Sequence, residues 1–271
     1  MIGWADGEWR DDAQPGLSTR DRGFALGDGL FETVLWENGA PVRLSRHVTR
    51  LHAAAAALGL PAPPSEADLA ATLDVLADRN GARAQRLAIR IVWTAGVGTR
   101  GLLRTPTARG SLFVTAAAAP APAGPARVGW SAIRRNETAP TARWKTLSYL
   151  DLVMARAEAH ARDEDEALML NTQGRLACAS AANVFVIRDG VIATPPIEDG
   201  ALAGTVRATL LDSGLPISVA TIAPDDVRSA DAIVLTNALI GVRAVSALET
   251  TSFAADHPLV DALRAALVRT T

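Results

Sequence analysis

Hydrophobic and polar residues alternate in several short stretches of the first half of the chain, and this period of two predicts β-strands. Residues 2–9 and 31–44 combine the alternation with a central Asp6-Gly7 or Asn38-Gly39 pair. A pair of this type between apolar runs favours a tight β-hairpin turn. Aliphatic runs predict further strands at 86–93 and 111–119.

Helical spacing of apolar residues predicts two helices between these strands. Ser45 is placed to cap the first helix, and Gly59 is placed to end it. Ser65 and Asp68 resemble a capping box for a second helix over residues 66–79. The first half is therefore expected to pair a sheet with two helices.

The second half of the chain predicts a cluster of strands and few helices, without a long alternation of the two. Strands are expected at 126–134, 165–171, 175–180, 182–188 and 231–239, and helices at about 147–161, 203–213 and 257–269. Clustering of this kind favours an α+β fold with mixed sheets and flanking helices over a doubly wound parallel sheet.

A break in composition divides the chain into two predicted domains. Residues 117–126 read AAAPAPAGPA, and an uncharged, Pro-rich segment suits an extended linker, although a surface loop can have the same composition. We therefore expect a smaller N-terminal α+β domain at 1–116, a linker at 117–126 and a larger C-terminal domain at 127–271.

Charge and cysteine content narrow the classes of function. A net charge of −2 gives no basic surface for nucleic acid. Cys178 is the only cysteine, so no intramolecular disulfide can form, which fits a reducing cytoplasm. The first residues lack the regions of a signal peptide, and no apolar run reaches the length of a membrane span, so we expect no membrane partner.

Motifs for dinucleotide, metal and serine-hydrolase chemistry are incomplete or absent. Residues 96–101 read GVGTRG, but Pro106 interrupts the helix that a dinucleotide site needs, and the acid expected about 20 residues later is missing. His47 and His52 are five residues apart and do not share a helix face, and no HExxH or CxxC occurs. GxSxG is also absent, so we predict no metal and no serine nucleophile of that type.

Lys145 is a stronger candidate for chemistry. Arg supplies nearly all the positive charge of this chain, and Lys145 lies between Trp144 and a predicted helix that carries Tyr149. A lysine in partly apolar surroundings can attack a carbonyl carbon, which Arg cannot do. A surface lysine without a chemical role is the alternative interpretation.

Separate segments could contribute to a phosphate site. Residues 204–206 (GTV) open a predicted helix, whose first N–H groups suit an anion. Thr236 and Asn237 end a predicted strand and offer short polar donors, and Arg50 could add a bidentate contact. Ordinary capping of helix and strand ends explains each segment equally well.

Seven segments between about residues 21 and 245, in order, resemble the fold-type IV pyridoxal-phosphate (PLP) enzymes of the class IV aminotransferase family. DRGFALGDGLFETV is similar to its N-terminal motif, RLSRHVTRLHAAAAALGL to its H-x-x-R-L helix, WTAGVGTRG to the lyase-type RGxGxRG loop, and RWKTLSYL to the lysine segment KTLNYL. EALMLNTQGRLACASAANVFVI resembles the strand pair beneath the cofactor, and GALAGTVR and LTNALIGV resemble phosphate-binding segments. The spelling TNAL is closest to the aminodeoxychorismate lyases.

This resemblance implies a two-domain α+β fold like that of D-amino-acid aminotransferases, with PLP in the cleft between the domains. It also implies a homodimer, whose interface could use Phe24, Phe31, Leu44, Val48 and Leu51. Lys145 would form the Schiff base with the cofactor and move the proton during the reaction, and Tyr149 would lie near the phenolic oxygen. The positions implied for the phosphate are Arg50, Gly204, Thr205, Val206 (backbone), Thr236 and Asn237.

One position departs from the family pattern. The pattern E-x-S-x-x-N places a Glu five residues before the Asn, where its carboxylate keeps the pyridine nitrogen protonated. In this chain Asn183 matches the Asn, and Cys178 stands in place of the Glu. A thiol there predicts an altered electron sink that disfavours ordinary transamination. Alternatively, Cys178 is a small buried apolar residue.

The leading hypothesis is a PLP-dependent lyase resembling 4-amino-4-deoxychorismate lyase, which forms 4-aminobenzoate and pyruvate. The first alternative is a class IV aminotransferase that acts on D-amino or branched-chain amino acids. The second is a degenerate PLP-binding homologue with impaired catalysis. The sequence does not define the substrate pocket, so all three hypotheses stay open at this point.

Overall fold

The computed structural model of the chain describes residues 1–11, 16–106 and 108–269. Two compact units make up the chain. Unit 1 contains Met1–Pro120 and Lys145–Ser148, and unit 2 contains Ala121–Trp144 and Tyr149–Thr271. The main path leaves unit 1 within the Ala/Pro-rich segment at Pro120. The sequence did not predict that the four residues from Lys145 to Ser148 belong with unit 1.

Unit 1 is built on one antiparallel sheet with the strand order β2-β1-β6-β5-β3-β4. Both predicted hairpins are confirmed, because Ala5 pairs with Glu8 and Glu37 pairs with Ala40 across the Asx-Gly turns. The strands are β1 (Ile2–Ala5), β2 (Glu8–Asp11), β3 (Gly29–Glu37), β4 (Ala40–Pro41), β5 (Leu87–Thr94) and β6 (Ser111–Ala118).

The helices of unit 1 are α1 (Arg22–Leu26), α2 (Leu44–Ala57) and α3 (Glu66–Arg79). The capping box of α3 is confirmed, with Ser65 and Asp68 each bonded to the other's backbone. The prediction that Ser45 caps α2 is wrong. The helix begins at Leu44, and its N-cap is Arg43, two residues before Ser45, in the left-handed conformation at φ 55°.

The hydrophobic core of unit 1 lies between its sheet and helices α2 and α3. Strand β3 alternates its side chains between two faces, and Leu30, Val34 and Trp36 are buried on one of them. Leu44, Val48 and Leu51 on α2 are also buried within the unit. The prediction that these three α2 residues supply a dimer interface is therefore wrong.

Unit 2 contains a mixed sheet with the order β12-β11-β10-β13-β14-β7-β8-β9, in which β7 runs parallel to both β14 and β8. Its strands are β7 (Ala126–Trp130), β8 (Glu166–Leu170), β9 (Leu176–Ala179), β10 (Asn183–Arg188), β11 (Val191–Thr194), β12 (Ile217–Val219), β13 (Ala232–Asn237), β14 (Gly241–Leu248) and β15 (Thr251–Ser252). Its helices are α4 (Pro140–Arg143), α5 (Leu150–His160), α6 (Thr205–Leu211), α7 (Pro224–Arg228) and α8 (Pro258–Arg269).

These two units confirm the predicted α+β class with mixed sheets and flanking helices. Several elements in the second half were not predicted, including the short β11, β12 and α7 and the longer β14. After β5, residues 95–106 form a loop without a helix, so the GVGTRG segment lacks the context of a dinucleotide site. Within the described ranges, no helix is both long and apolar enough to cross a membrane.

Candidate active site

Lys145 is fixed to the first residues of β3 by backbone hydrogen bonds. The amide of Phe31 donates to the carbonyl of Lys145, and the amide of Leu147 donates to the carbonyl of Gly29, both at 2.9 Å. The side chain of Lys145 places its Nζ 4.2 Å from the centre of the Phe31 ring. The amine is therefore held against an aromatic ring by a short, paired segment of backbone.

A buried carboxylate, Glu32, joins two side chains of α2. It lies on the face of β3 that packs against this helix. Arg50 donates to it through Nε at 2.8 Å and Nη2 at 2.5 Å, and Nδ1 of His47 lies 2.7 Å from its second oxygen. The resulting network ties Arg50, one of the predicted phosphate ligands, to the sheet that carries Lys145.

The charges in this network follow from its geometry. Burial raises the pKa of Glu32, but the charge of Arg50 and hydrogen bonds from His47 and Arg50 outweigh it and lower the pKa to about 2. Burial lowers the pKa of His47, and the charges of Arg50 and Lys145 lower it further against the opposing effect of Glu32. His47 is therefore neutral at pH 7 and donates its Nδ1 proton to an ionised carboxylate.

In unit 2, the predicted helix start at residues 203–205 is confirmed, with Gly204 as the cap of α6. Asn183 donates from Nδ2 to the carbonyl of Leu202 at 2.8 Å, just before this cap. A Cβ added to Gly204 would lie 1.9 Å from Oδ1 of Asn183, so the turn packs against the amide. Glycine is favoured at position 204 by space and not by backbone conformation, because a Cβ there would have to displace the Asn183 amide and the φ of −67° suits any residue.

Thr236 and Asn237 end β13 as expected, but they differ in what their side chains offer. Thr236 is 1% exposed, and its hydroxyl has no hydrogen-bond partner among the described residues. The amide of Asn237 is engaged locally. It donates to the carbonyl of Ala181 at 2.9 Å and accepts from the amides of Leu239 and Ile240. Of these two side chains, only that of Thr236 lacks a hydrogen-bond partner among the described residues.

Cys178 lies on β9 opposite Met169 of β8, inside an apolar cluster that also contains Leu152 and Ala155 of α5. Tyr149 packs against the same cluster. Burial raises the pKa of Cys178 to about 11, with a smaller lowering by Arg135 and a smaller raising by Glu166. The thiol is therefore neutral at pH 7.

Glu166 is the nearest carboxylate in sequence before Cys178, and its partners lie elsewhere. It accepts hydrogen bonds from the Ser180 hydroxyl and the Ala167 amide, and Arg156 pairs with it at 2.7 Å. Burial raises its pKa, and these three partners oppose the rise. The Glu166 carboxylate therefore bonds Ser180, in the segment after β9, and Arg156 of α5.

A family model for class IV aminotransferases matches residues 29–248, which is most of the chain. The chain belongs to the class IV aminotransferase family. A D-alanine aminotransferase of Listeria innocua is 29% identical over 252 residues, covering 89% of this chain and 84% of that protein. As a member of this family, the chain is a PLP-dependent aminotransferase or lyase.

Solved structures agree with this class IV aminotransferase fold. A branched-chain aminotransferase of Thermoproteus uzoniensis, determined with norvaline, has a TM-score of 0.90 at 26% identity, covering 99% of this chain and 94% of that one. A putative 4-amino-4-deoxychorismate lyase of Legionella pneumophila has a TM-score of 0.88 at 29% identity, covering 96% of this chain and 97% of that one. The confirmed fold is shared by relatives of both activities.

Sequence reasoning about this class IV aminotransferase missed three residues that organise the predicted site. Glu32 accepts from both Arg50 and His47, and Asn183 bonds the turn before α6. The available signal for Glu32 was an acid between two apolar residues, Leu30 and Val34, of the same strand face. His47 was considered only as a metal ligand, and Asn183 only as a marker of the family pattern.

Proposed function

We propose that Lys145 bonds covalently to PLP. Lys145 is the only lysine among the 271 residues of the chain. A primary amine can bond to the aldehyde of the cofactor and exchange with the amine of a substrate, which a guanidinium cannot do. The backbone pairing of Lys145 with β3 supports this role, because it fixes the point from which the side chain extends.

The phosphate of PLP is assigned to residues that the family segments imply. The Thr236 hydroxyl supports this assignment. A buried hydroxyl without a hydrogen-bond acceptor costs about 1–3 kcal/mol, and a phosphate oxygen would accept a hydrogen bond from it. Asn237 is assigned a backbone contact, because its amide is already engaged. The full set is Arg50, Gly204, Thr205, Val206 (backbone), Thr236 and Asn237.

Tyr149 and Cys178 are assigned to the ring of the cofactor. Tyr149 is assigned to the phenolic oxygen and Cys178 to the pyridine nitrogen, as the family resemblance implies. Contact of both side chains with one apolar cluster supports a shared location within unit 2. A neutral thiol cannot act as the counter-ion that a carboxylate provides for a protonated ring nitrogen.

The reaction we propose is that of a lyase resembling 4-amino-4-deoxychorismate lyase. PLP, when bound, supplies an electron sink, and an unprotonated ring nitrogen makes that sink weaker. The observation that carries the proposal is the neutral thiol at Cys178 in place of a carboxylate. An elimination tolerates a weaker sink than transamination, because the departing group removes the charge. Nζ of Lys145 is the base that accepts the proton from the substrate Cα.

An aminotransferase acting on D-amino or branched-chain amino acids is the second candidate. The likeness to a D-alanine aminotransferase over 89% of the chain favours it. The likeness to a branched-chain aminotransferase with norvaline adds to it. Both candidates take an amino-acid-like substrate and use the same lysine.

Cofactor attachment is tested by reduction of the PLP-loaded protein with borohydride, followed by peptide mapping. The pyridoxyl group is expected on Lys145. Lys145→Arg is the matched variant, since it keeps the positive charge and removes the reactive amine. Label elsewhere, or equal label in the variant, would overturn the assignment.

The reaction is tested with the loaded protein and two parallel assays. One follows 4-aminobenzoate and pyruvate released from 4-amino-4-deoxychorismate, and the other follows 2-oxoglutarate-dependent turnover of D-alanine or L-leucine. We expect the first to exceed the second. The reverse order would select the aminotransferase, and no turnover in either assay would favour the degenerate homologue.

We also propose that two copies form a homodimer, as the family resemblance implies. Leu102 and Leu103 support this assignment, because they are 83% and 88% exposed in the loop after β5. Arg22 holds the backbone of this loop through bonds to the carbonyls of Gly101 and Leu102 at 3.0 and 2.8 Å. An ordered loop that presents adjacent leucines suits an interface.

A further inference from the structure

Asn183 lies where two segments assigned to the phosphate meet within unit 2. It is the first residue of β10 and pairs directly with Thr236 of β13. Its side chain is buried and points to the turn that precedes α6, since Nδ2 donates to the carbonyl of Leu202. One residue thus contacts both the strand that carries Thr236 and the turn that carries Gly204.

Two hydrogen bonds converge on the carbonyl of Leu202. The amide of Gly204 donates to it at 2.8 Å, and Nδ2 of Asn183 donates at the same distance. The first bond closes the turn on itself, and the second ties the turn to β10. Without Asn183 the turn would keep the bond that closes it but lose this side-chain bond to β10.

The other end of the same amide limits how far the turn can move. The position of a Cβ on Gly204 is 1.9 Å from Oδ1 of Asn183 and 3.5 Å from Cβ of Arg207. Only a residue without a side chain can approach the amide this closely. The Asn183 amide therefore holds the turn by donation and sets its distance by contact.

We propose that Asn183 is a positioning residue that places the turn at Gly204–Thr205 at a fixed distance from the Thr236 hydroxyl, so that both reach one phosphate group. This inference rests on the proposed function, because it takes PLP as the phosphate ligand. Asn183 itself makes no contact with the phosphate in this scheme. Its effect is confined to the phosphate end of the cofactor and spares the bond made by Lys145.

The test compares PLP with pyridoxal, which has the same aldehyde and no phosphate. Affinities are measured by absorbance titration of the apo protein, with inorganic phosphate as a competitor of PLP. Asn183→Ala is expected to lower the affinity for PLP by about ten-fold or more and to change the affinity for pyridoxal by less than about two-fold. The affinity for inorganic phosphate, measured by its competition with PLP, should fall together with the affinity for PLP.

Asn171→Ala is the matched control in the same unit. Asn171 is also buried and also bonds backbone groups, accepting from the amides of Gln173 and Arg175 and donating to the carbonyl of Asp199. Its loss removes a similar set of bonds, and none of these partners belongs to the assigned phosphate residues. The ratio of PLP to pyridoxal affinity should stay at the wild-type value in this variant.

A double-mutant cycle with Gly204→Ala tests the contact directly. Gly204→Ala alone should weaken PLP by about ten-fold or more, because its Cβ must displace the amide of Asn183. In the Asn183→Ala background the same change should cost much less, since the obstructing amide is gone. If Asn183→Ala does not fold, the ratio of PLP to pyridoxal affinity in Gly204→Ala alone tests the positioning role.

The outcomes separate this inference from the proposed function. If the wild-type protein binds no PLP, the proposed function fails and the positioning role fails with it. If the wild type binds PLP through Lys145 but Asn183→Ala keeps the wild-type ratio of PLP to pyridoxal affinity, only the positioning role fails. Additive effects of the two substitutions would likewise reject the contact between Asn183 and Gly204.

Discussion

The guanidinium carbon of Arg90 lies 3.8 Å from the centre of the Phe31 ring. Nζ of Lys145 lies 4.2 Å from the same centre, so two cations share one aromatic ring. Both cations therefore lie within cation–π distance of Phe31, and the ring attracts both side chains.

We expect Arg90 and Phe31 to be energetically coupled. Arg90→Met keeps much of the apolar stem and removes the charge, and Phe31→Leu keeps an apolar side chain and removes the ring. A cation over an aromatic ring contributes about 0.5–1 kcal/mol at an exposed site, so the two losses should be non-additive by about that amount. Urea unfolding of the four proteins in this cycle measures the coupling. A coupling near zero would show that the contact contributes nothing to stability.

The buried imidazole of His47 should make stability depend on pH. Its pKa is lowered in the folded protein from the usual 6.5, so the unfolded chain binds a proton first as the pH falls. Stability should therefore decline below about pH 6.5, by up to about 1.4 kcal/mol per pH unit from this group. His47→Gln, which can still donate to Glu32, should show a shallower decline in urea unfolding between about pH 7.5 and 5.5. Parallel curves for the two proteins would contradict the assignment.

The proposed homodimer makes a prediction about Leu102 and Leu103 in the loop after β5. Light scattering should give about twice the chain mass of 28.3 kDa for the parent protein. Replacing Leu102 and Leu103 with Ser should shift the protein toward the monomer, because burial of these side chains would drive association. Val268→Ser is the control, since Val268 is an exposed apolar residue of α8 in unit 2. A parent protein of single-chain mass would refute the dimer.

The parts of the fold that the sequence predicted correctly depend on neighbouring residues. Asp6-Gly7 and Asn38-Gly39 adopt positive φ within their own turns, and the Ser65 capping box spans four residues. The cap assigned to Ser45 failed for a non-local reason. The amide of Val42 pairs with the carbonyl of Leu35, so the hairpin continues up to the helix and Ser45 falls inside its first turn.

The sequence predicted the candidate site residue by residue, but it did not predict the contacts between those residues. Lys145 stood out because lysine is otherwise absent, and Thr236 because it ends a strand. Glu32 and its partner Arg50 are 18 positions apart, and their contact requires β3 and α2 to pack together. The role of Asn183 likewise depends on a turn that follows 19 residues later. Contacts of this kind are decided by tertiary packing and leave no local pattern.

Cys178 carries the prediction that separates the two candidate reactions. Its thiol is buried among Ala155, Met169 and other apolar side chains, and its pKa of about 11 keeps it neutral throughout the usual assay range. If it lies at the pyridine nitrogen, as proposed, the ring loses the counter-ion that a carboxylate would supply. Every loss of about 1.4 kcal/mol of transition-state stabilisation by the ring lowers the rate by about ten-fold.

We therefore expect Cys178→Glu to raise aminotransferase turnover with D-alanine or L-leucine at least several-fold. Cys178→Gln is the control of similar size without the charge, and it should give no gain. Both substitutions enlarge a side chain in a packed apolar cluster, so each should lower the unfolding free energy by about 1–3 kcal/mol. Equal rates in PLP-loaded, folded Cys178→Glu, Cys178→Gln and parent proteins would show that Cys178 only fills the core, and the argument for a lyase would lose its main support.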